Sequence, residues 1–131
     1  PRGKAMTREP LLAGSTVSDR KRFQSNLRMD RHLPLIVVDT SGEIHHLTPP
    51  VYTLLEYSPQ QPLDTCFFTH VHSRNLQQVR HDLHAMHRAG KRRAFWLLRL
   101  RTARGHWRWF QVQAHNALQD YGGIVLHLRP I

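Results

Sequence analysis

His106-Trp107-Arg108-Trp109-Phe110-Gln111-Val112-Gln113-Ala114 is the stretch on which the fold turns. From Trp109 on, apolar and polar residues alternate with period two, the mark of a strand with one buried and one exposed face. Phe110, Val112 and Ala114 form the inward set, opposed by Trp107, Trp109, Gln111 and Gln113. Two neighbouring stretches repeat the pattern. In residues 93–101, Trp96, Leu98 and Leu100 oppose Phe95, Leu97, Arg99 and Arg101. In residues 123–128, Ile124, Leu126 and Leu128 oppose Val125 and His127. Arg104-Gly105 and residues 120–123 supply the turns, so three antiparallel strands close the chain.

Upstream, Leu76, Val79, Leu83 and Met86 recur at a 3-4-3 spacing. That is one core-facing stripe on a long helix, expected to be capped by Ser73 and stopped at Gly90. Before it, Leu35 to Asp39 and Ile44 to Leu47 flank the turn Thr40-Ser41-Gly42-Glu43, a second hairpin whose inward residues include Ile36 and Val38. Pro49-Pro50 opens a short helix from Val51 to Tyr57 that carries Leu55, and another helix or turn is expected around Leu63 to Phe68. Two strands, several helices and three strands imply an α+β fold. Its five-stranded antiparallel sheet is covered on one face by short helices and one long helix.

The composition suits such a domain. The chain has 131 residues, of which 40% are hydrophobic, enough for one modest core and too many for disorder throughout. Residues 1–33 read as a linker followed by an amphipathic helix from Ser18, with Phe23 and Leu27 on one face, and residues 34–131 as the domain. The helix's apolar stripe is too thin to fold alone, so it must lean on the domain or on a partner chain. No apolar run is long enough to cross a bilayer. Cys66 is the only cysteine, so there is no internal disulfide and a cytoplasmic setting is the default.

In order and punctuation, residues 34–131 resemble the PAS family. Val38-Asp39-Thr40-Ser41-Gly42-Glu43-Ile44 matches its first hairpin, and Leu54-Leu55-Glu56-Tyr57-Ser58-Pro59-Gln60-Gln61 is similar to its "LLGYSPEEL" run. Val71-His72-Ser73-Arg74-Asn75 precedes the long helix as a Val-His-Pro-Asp-Asp segment does in the family. Gly105-His106-Trp107-Arg108-Trp109-Phe110 matches its "DGxxRWV" strand, and Leu128-Arg129-Pro130-Ile131 its closing "RDI". Thr48 departs from the usual Asn, Pro130 from the usual Asp, and the extra length between Gly105 and Asp120 leads us to expect a β-bulge there. The resemblance implies a sensory and dimerisation module of a bacterial signalling or transcription-regulatory protein. Catalysis would belong to an output domain outside this chain.

It also implies a cavity between sheet and long helix, lined by the inward residues named above. A ligand-sized void of roughly 300 Å³ would cost about 7 kcal/mol at ~24 cal/mol per Å³, comparable to the whole stability of a small domain, about 5–15 kcal/mol. The nine inward residues of the last three strands are apolar, Trp96 and Phe110 among them. We therefore expect a small or filled pocket, with a small apolar ligand as second choice. Cys66 is offset from the flavin-binding "NCRFLQ" pattern, which argues against a flavin. Haem remains an alternative through His84 or His87 on the long helix. The pairs His45-His46 and His70-x-His72 lack the partners a zinc site needs.

No nucleophile, base and orienting group occur in a recognisable catalytic arrangement. The charge poses a different question: 19 Lys+Arg stand against 9 Asp+Glu, a net +10 with 11 His besides. Basic residues cluster at Arg88, Lys91, Arg92 and Arg93, and again at Arg99, Arg101, Arg104 and Arg108 beside Trp107 and Trp109. Such a surface could stack bases. The favoured reading is instead a packed outer face, in which Phe95, Leu97, Trp107, Trp109 and Val125 join Phe23 and Leu27 in a homodimer interface.

Overall fold

The computed structural model describes residues 5–6 and 30–131. Among them are β1 (Ala5–Met6), β2 (Leu35–Val38), β3 (Ile44–Leu47), α1 (Pro49–Leu54) and β4 (Leu63–Asp64). A 3₁₀ turn (Phe67–His70) leads to the long helix α2 (Ser73–Ala89), followed by β5 (Arg93–Arg101), β6 (Trp107–Ala117), α3 (Leu118–Tyr121) and β7 (Gly123–Pro130). The main sheet is antiparallel in the order β3-β2-β7-β6-β5, while β1 pairs with β4 separately. The α+β fold expected from the sequence is thus present. The helix expected from Ser18, with Phe23 and Leu27, lies outside the described residues.

Strand alternation sorts the sheet into two faces. Ile36, Val38, Trp96, Leu98, Leu100, Phe110, Val112, Ala114, Ile124, Leu126 and Leu128 are all buried and belong to one cluster with Val79, Leu83 and Met86 of α2 and with Leu55. Leu76 packs against its margin, half-buried. Burial of this apolar set is what holds helix and sheet together.

One polar contact lies inside this interface. Asp82 sits on the helix next to the apolar stripe, and its Oδ2 accepts a hydrogen bond from Trp96 Nε1 at 2.7 Å. Its Oδ1 accepts from Lys91 Nζ at 2.9 Å. A buried indole N–H needs an acceptor, and a carboxylate is a strong one. Burial raises the Asp82 pKa, but the hydrogen bonds from Trp96 and Lys91 outweigh it and leave the carboxyl below its ordinary value.

Several local expectations are corrected. The cap of α2 is His72 rather than Ser73: its Nδ1 accepts from the Arg74 N–H at 3.0 Å, satisfying one free amide of the first turn. α1 ends at Leu54 instead of Tyr57, and Glu56 just beyond it is left-handed at φ 63°, a position that usually favours glycine. The segment around Leu63 to Phe68 is a short strand leading into the 3₁₀ turn.

The β-bulge expected between Gly105 and Asp120 is absent from β6, whose register to both β5 and β7 is constant. The extra length is taken up by the single turn α3, closed by Gly122 at φ 79°. The register shift falls instead between β2 and β3, where His45 is the additional residue. Gly42, in the hairpin turn, has φ 87°, and a Cβ there would lie 2.7 Å from the Phe68 ring. Only glycine meets both demands.

Replacing Asp82 with Ala strands the Trp96 N–H in the core. The expected loss is about 2–3 kcal/mol, read as a lower urea midpoint with an unchanged slope. Adding Trp96→Phe to Asp82→Ala removes the stranded donor and should restore part of it. A full-size effect in Asp82→Ala with no such coupling would break the assignment.

Candidate functional site

The outer face of the sheet has its own geometry. Cross-strand pairing sets Phe95 opposite Gln113, Leu97 opposite Gln111, Arg99 opposite Trp109 and Arg101 opposite Trp107, all away from the core. Phe95 is 53% exposed, Leu97 47%, and Trp107 and Trp109 46% each. These are the residues the sequence assigned to an interface. Val125 is half-buried on the same face, while Val37 beside it is fully buried. The exposed apolar surface therefore concentrates on β5 and β6.

The rings there are held in place. The Arg99 guanidinium lies over Trp109, 4.8 Å from its centroid, a cation–π stack that lengthens the flat surface. His72 meets Trp107 edge-on at 4.7 Å. The free edge of β5 is partly closed: Arg99 N–H donates to Asn75 Oδ1 at 3.0 Å, and Arg99 C=O accepts from His72 N–H at 3.0 Å. A shallow hollow of about 570 Å³ extends the face between Arg93, Phe95, Gln113, His115, Val125 and His127.

The inward residues named as a possible ligand lining gather in one hydrophobic cluster, with Leu76 at its margin and Trp96 and Phe110 fully buried. The described hollows open to solvent and lie outside it. His84 and His87, the haem alternative, are exposed on α2 and line one such groove, of about 580 Å³, with Phe68, Leu76 and Arg80.

The other histidines have separate tasks. His70 is buried and its Nε2 donates to the Asp64 carbonyl at 2.9 Å, while His72 caps α2, so the two do not converge. Burial holds the His70 pKa below its ordinary value. His46, buried beside Val37, is pulled down to about 4 by burial and by the charge of Arg31. His45 points instead to the hairpin turn, where its Nε2 is 2.8 Å from Asp39 Oδ2. Asp39 Oδ1 accepts from Ser41 N–H, Ser41 Oγ and Glu43 N–H. Among the described residues no group of three or more potential metal ligands converges. No described helix is long and apolar enough to cross a membrane.

The sequence reading missed the polar ties: Asp82 to Trp96, Asn75 to Arg99, and Asn116 Nδ2 to the Met86 and Lys91 carbonyls. A signal existed for the first. Trp96 was assigned inward and needed an acceptor, and Asp82 is the only acidic residue of the long helix.

The fold is that of a small α+β domain, with helices on one side of an antiparallel sheet and large apolar side chains exposed on the other among the described residues. A family model described as the PAS fold matches residues 44–128, and the chain belongs to that family. No curated protein matches it. Solved structures agree on the fold. The PAS-B domain of Drosophila melanogaster Cycle, with bound ethylene glycol, has a TM-score of 0.62 at 12% identity, covering 76% of this chain and 100% of that one. The PAS domain of an HTR-like protein from Haloarcula marismortui has a TM-score of 0.61 at 15% identity, over 87% and 96%. A PAS domain from Colwellia psychrerythraea has a TM-score of 0.63 at 16% identity, over 83% and 96%. PAS domains are sensory, regulatory modules rather than catalysts.

The Asp39–His45 pair sets a pH window. Burial raises the Asp39 pKa, but hydrogen bonds from His45, Ser41 and Glu43 overcome it and hold the carboxyl well below its ordinary value. The bond to Asp39 raises the His45 pKa against burial. The Asp39 contribution to stability is present above the unfolded carboxylate pKa near ~3.9 and is lost as pH falls through the depressed folded value. The His45 contribution is present below the unfolded pKa near ~6.5 and is lost as pH rises through the raised one. Urea unfolding of the native chain and His45→Gln should therefore differ most between about pH 4 and 6.5, with the gap closing at alkaline pH. A gap independent of pH would contradict the pairing.

Proposed function

We propose that this PAS domain works by docking through the outer face of its sheet, with the interior serving as a packed core. The observation that carries the reading is the contrast between the faces. The inward side chains of β5 and β6 are fully or almost fully buried, whereas Phe95, Leu97, Trp107 and Trp109 expose about half their surface on the opposite side. Exposed large apolar groups gathered on one face mark an interaction surface.

The occupant we put forward is a second copy of the chain, related by a twofold axis that sets β5 and β6 of one protomer against those of its partner. Trp107 and Trp109 supply large rings at its centre, the residue type that dominates such interfaces. A signal received elsewhere in a cytoplasmic regulatory protein would then be read as a change in how the two sheets pack. A small apolar ligand inside the fold is the weaker reading, because it must displace side chains already in contact.

Analytical ultracentrifugation of the 131-residue chain tests this. The native protein should show a concentration-dependent dimer, and Trp109→Ala should weaken it by at least ten-fold, about 1.4 kcal/mol, with unchanged circular dichroism. An association state indifferent to both Trp107→Ala and Trp109→Ala would sink the proposal.

A further inference from the structure

The chemistry of the outer face goes beyond what a second copy requires. β2, β3, β5, β6 and β7 contain no Asp or Glu. Arg93, Arg99 and Arg101 of β5 share the outer face with Arg129 of β7, which pairs with Gln111. The chain as a whole carries +10. Twofold contact through this face would bring arginines together with no carboxylate on these strands between them, so a second copy leaves their charge uncompensated. The natural complement is a polyanion.

The apolar component narrows the choice of polyanion. Three of the four large hydrophobics exposed on the outer face of β5 and β6, Phe95, Trp107 and Trp109, are aromatic. Trp107 and Trp109 are alternate residues of one strand, which sets them about 7 Å apart along it. Their flat rings, extended by the Arg99 stack, alternate with guanidinium groups that can meet phosphates. Gln111 and Gln113, next along the strand, offer amides to base edges. An acidic protein strand added to the edge of β5 would find the Arg99 N–H and C=O already engaged by Asn75 and His72.

We propose that the outer face of β5 and β6 binds single-stranded nucleic acid, with bases stacked on Trp107 and Trp109 and phosphates held by the surrounding arginines. The same rings would be buried in the homodimer, so strand binding and dimerisation exclude each other. Binding is measured well below the dimer's dissociation constant, so it does not depend on the dimer forming.

Fluorescence anisotropy of a labelled oligothymidylate of about 20 nucleotides, titrated with the full chain at about 0.1 M salt, is the test. Inorganic polyphosphate and a polyglutamate peptide of matching charge serve as competitors. The oligonucleotide should bind more tightly than either. Trp109→Ala should weaken it about ten-fold, and Trp109→Phe, which keeps a ring, should recover most of that loss. Arg129→Gln should reduce the slope of log affinity against log salt by about 0.7. Equal binding of polyphosphate, with both Trp109 variants unchanged, would reduce the face to non-specific charge attraction and overturn the proposal. Tighter binding of polyglutamate would overturn it in favour of an acidic protein partner. Sedimentation of the same variants without nucleic acid reports on the dimer separately.

Discussion

The structure hangs on a single demand, that the indole N–H of Trp96 be satisfied in a place water does not reach. Trp96 is the largest side chain fully buried between sheet and helix. Once its ring faces inward, an acceptor must come from the element packed over it, and Asp82 is the acidic residue on that helix. The carboxylate in turn needs a cation, which Lys91 supplies just past the helix end. One contact thereby fixes the helix's rotation, its height over the sheet, and the path of the chain into β5. Apolar packing supplies the cohesion, but it is tolerant of sliding. The directional bonds around Asp82 specify one arrangement among the many that would bury the same surface.

Much of this fold could be read from the sequence because its signals are periodic. The alternation over residues 107–114 and the 3-4-3 stripe of Leu76, Val79, Leu83 and Met86 follow directly from strand and helix geometry. Inward and outward sets are therefore separable from sequence alone, and Phe95, Leu97, Trp107 and Trp109 are exposed on the face that alternation gives them. What periodicity does not encode was misplaced. The bulge lies at His45, because an extra residue in a strand leaves no composition signal, and the length near residue 118 went into a helical turn. His72 caps α2 although Ser73 is the commoner cap type, since only the local backbone decides which side chain can reach the Arg74 amide.

The site was legible to a lesser degree. Sequence could say which side chains share a face, but the exposure of that face depends on what covers it. Nor could it show that both edge groups of Arg99 are occupied, because Asn75 and His72 lie 24 and 27 residues away. Long-range polar contacts of this sort depend on the assembled fold, and they shape how the surface can be used.

Thr48, which stands where an Asn is usual, has a mechanical consequence. Its hydroxyl accepts from the Leu35 N–H and donates to the Leu33 carbonyl, clamping the start of β2 to the start of α1. Beside it, Leu128 N–H donates to the Pro34 carbonyl, because the beginning of β2 lies next to the end of β7. A force pulling those two strand ends apart would open their ladder like a zipper, one rung after another, instead of shearing all rungs at once. Resistance at the first rung then rests on the Thr48 clamp. Tension arriving through residues 30–33 would be felt there, at the mouth of α1, before it reached the core.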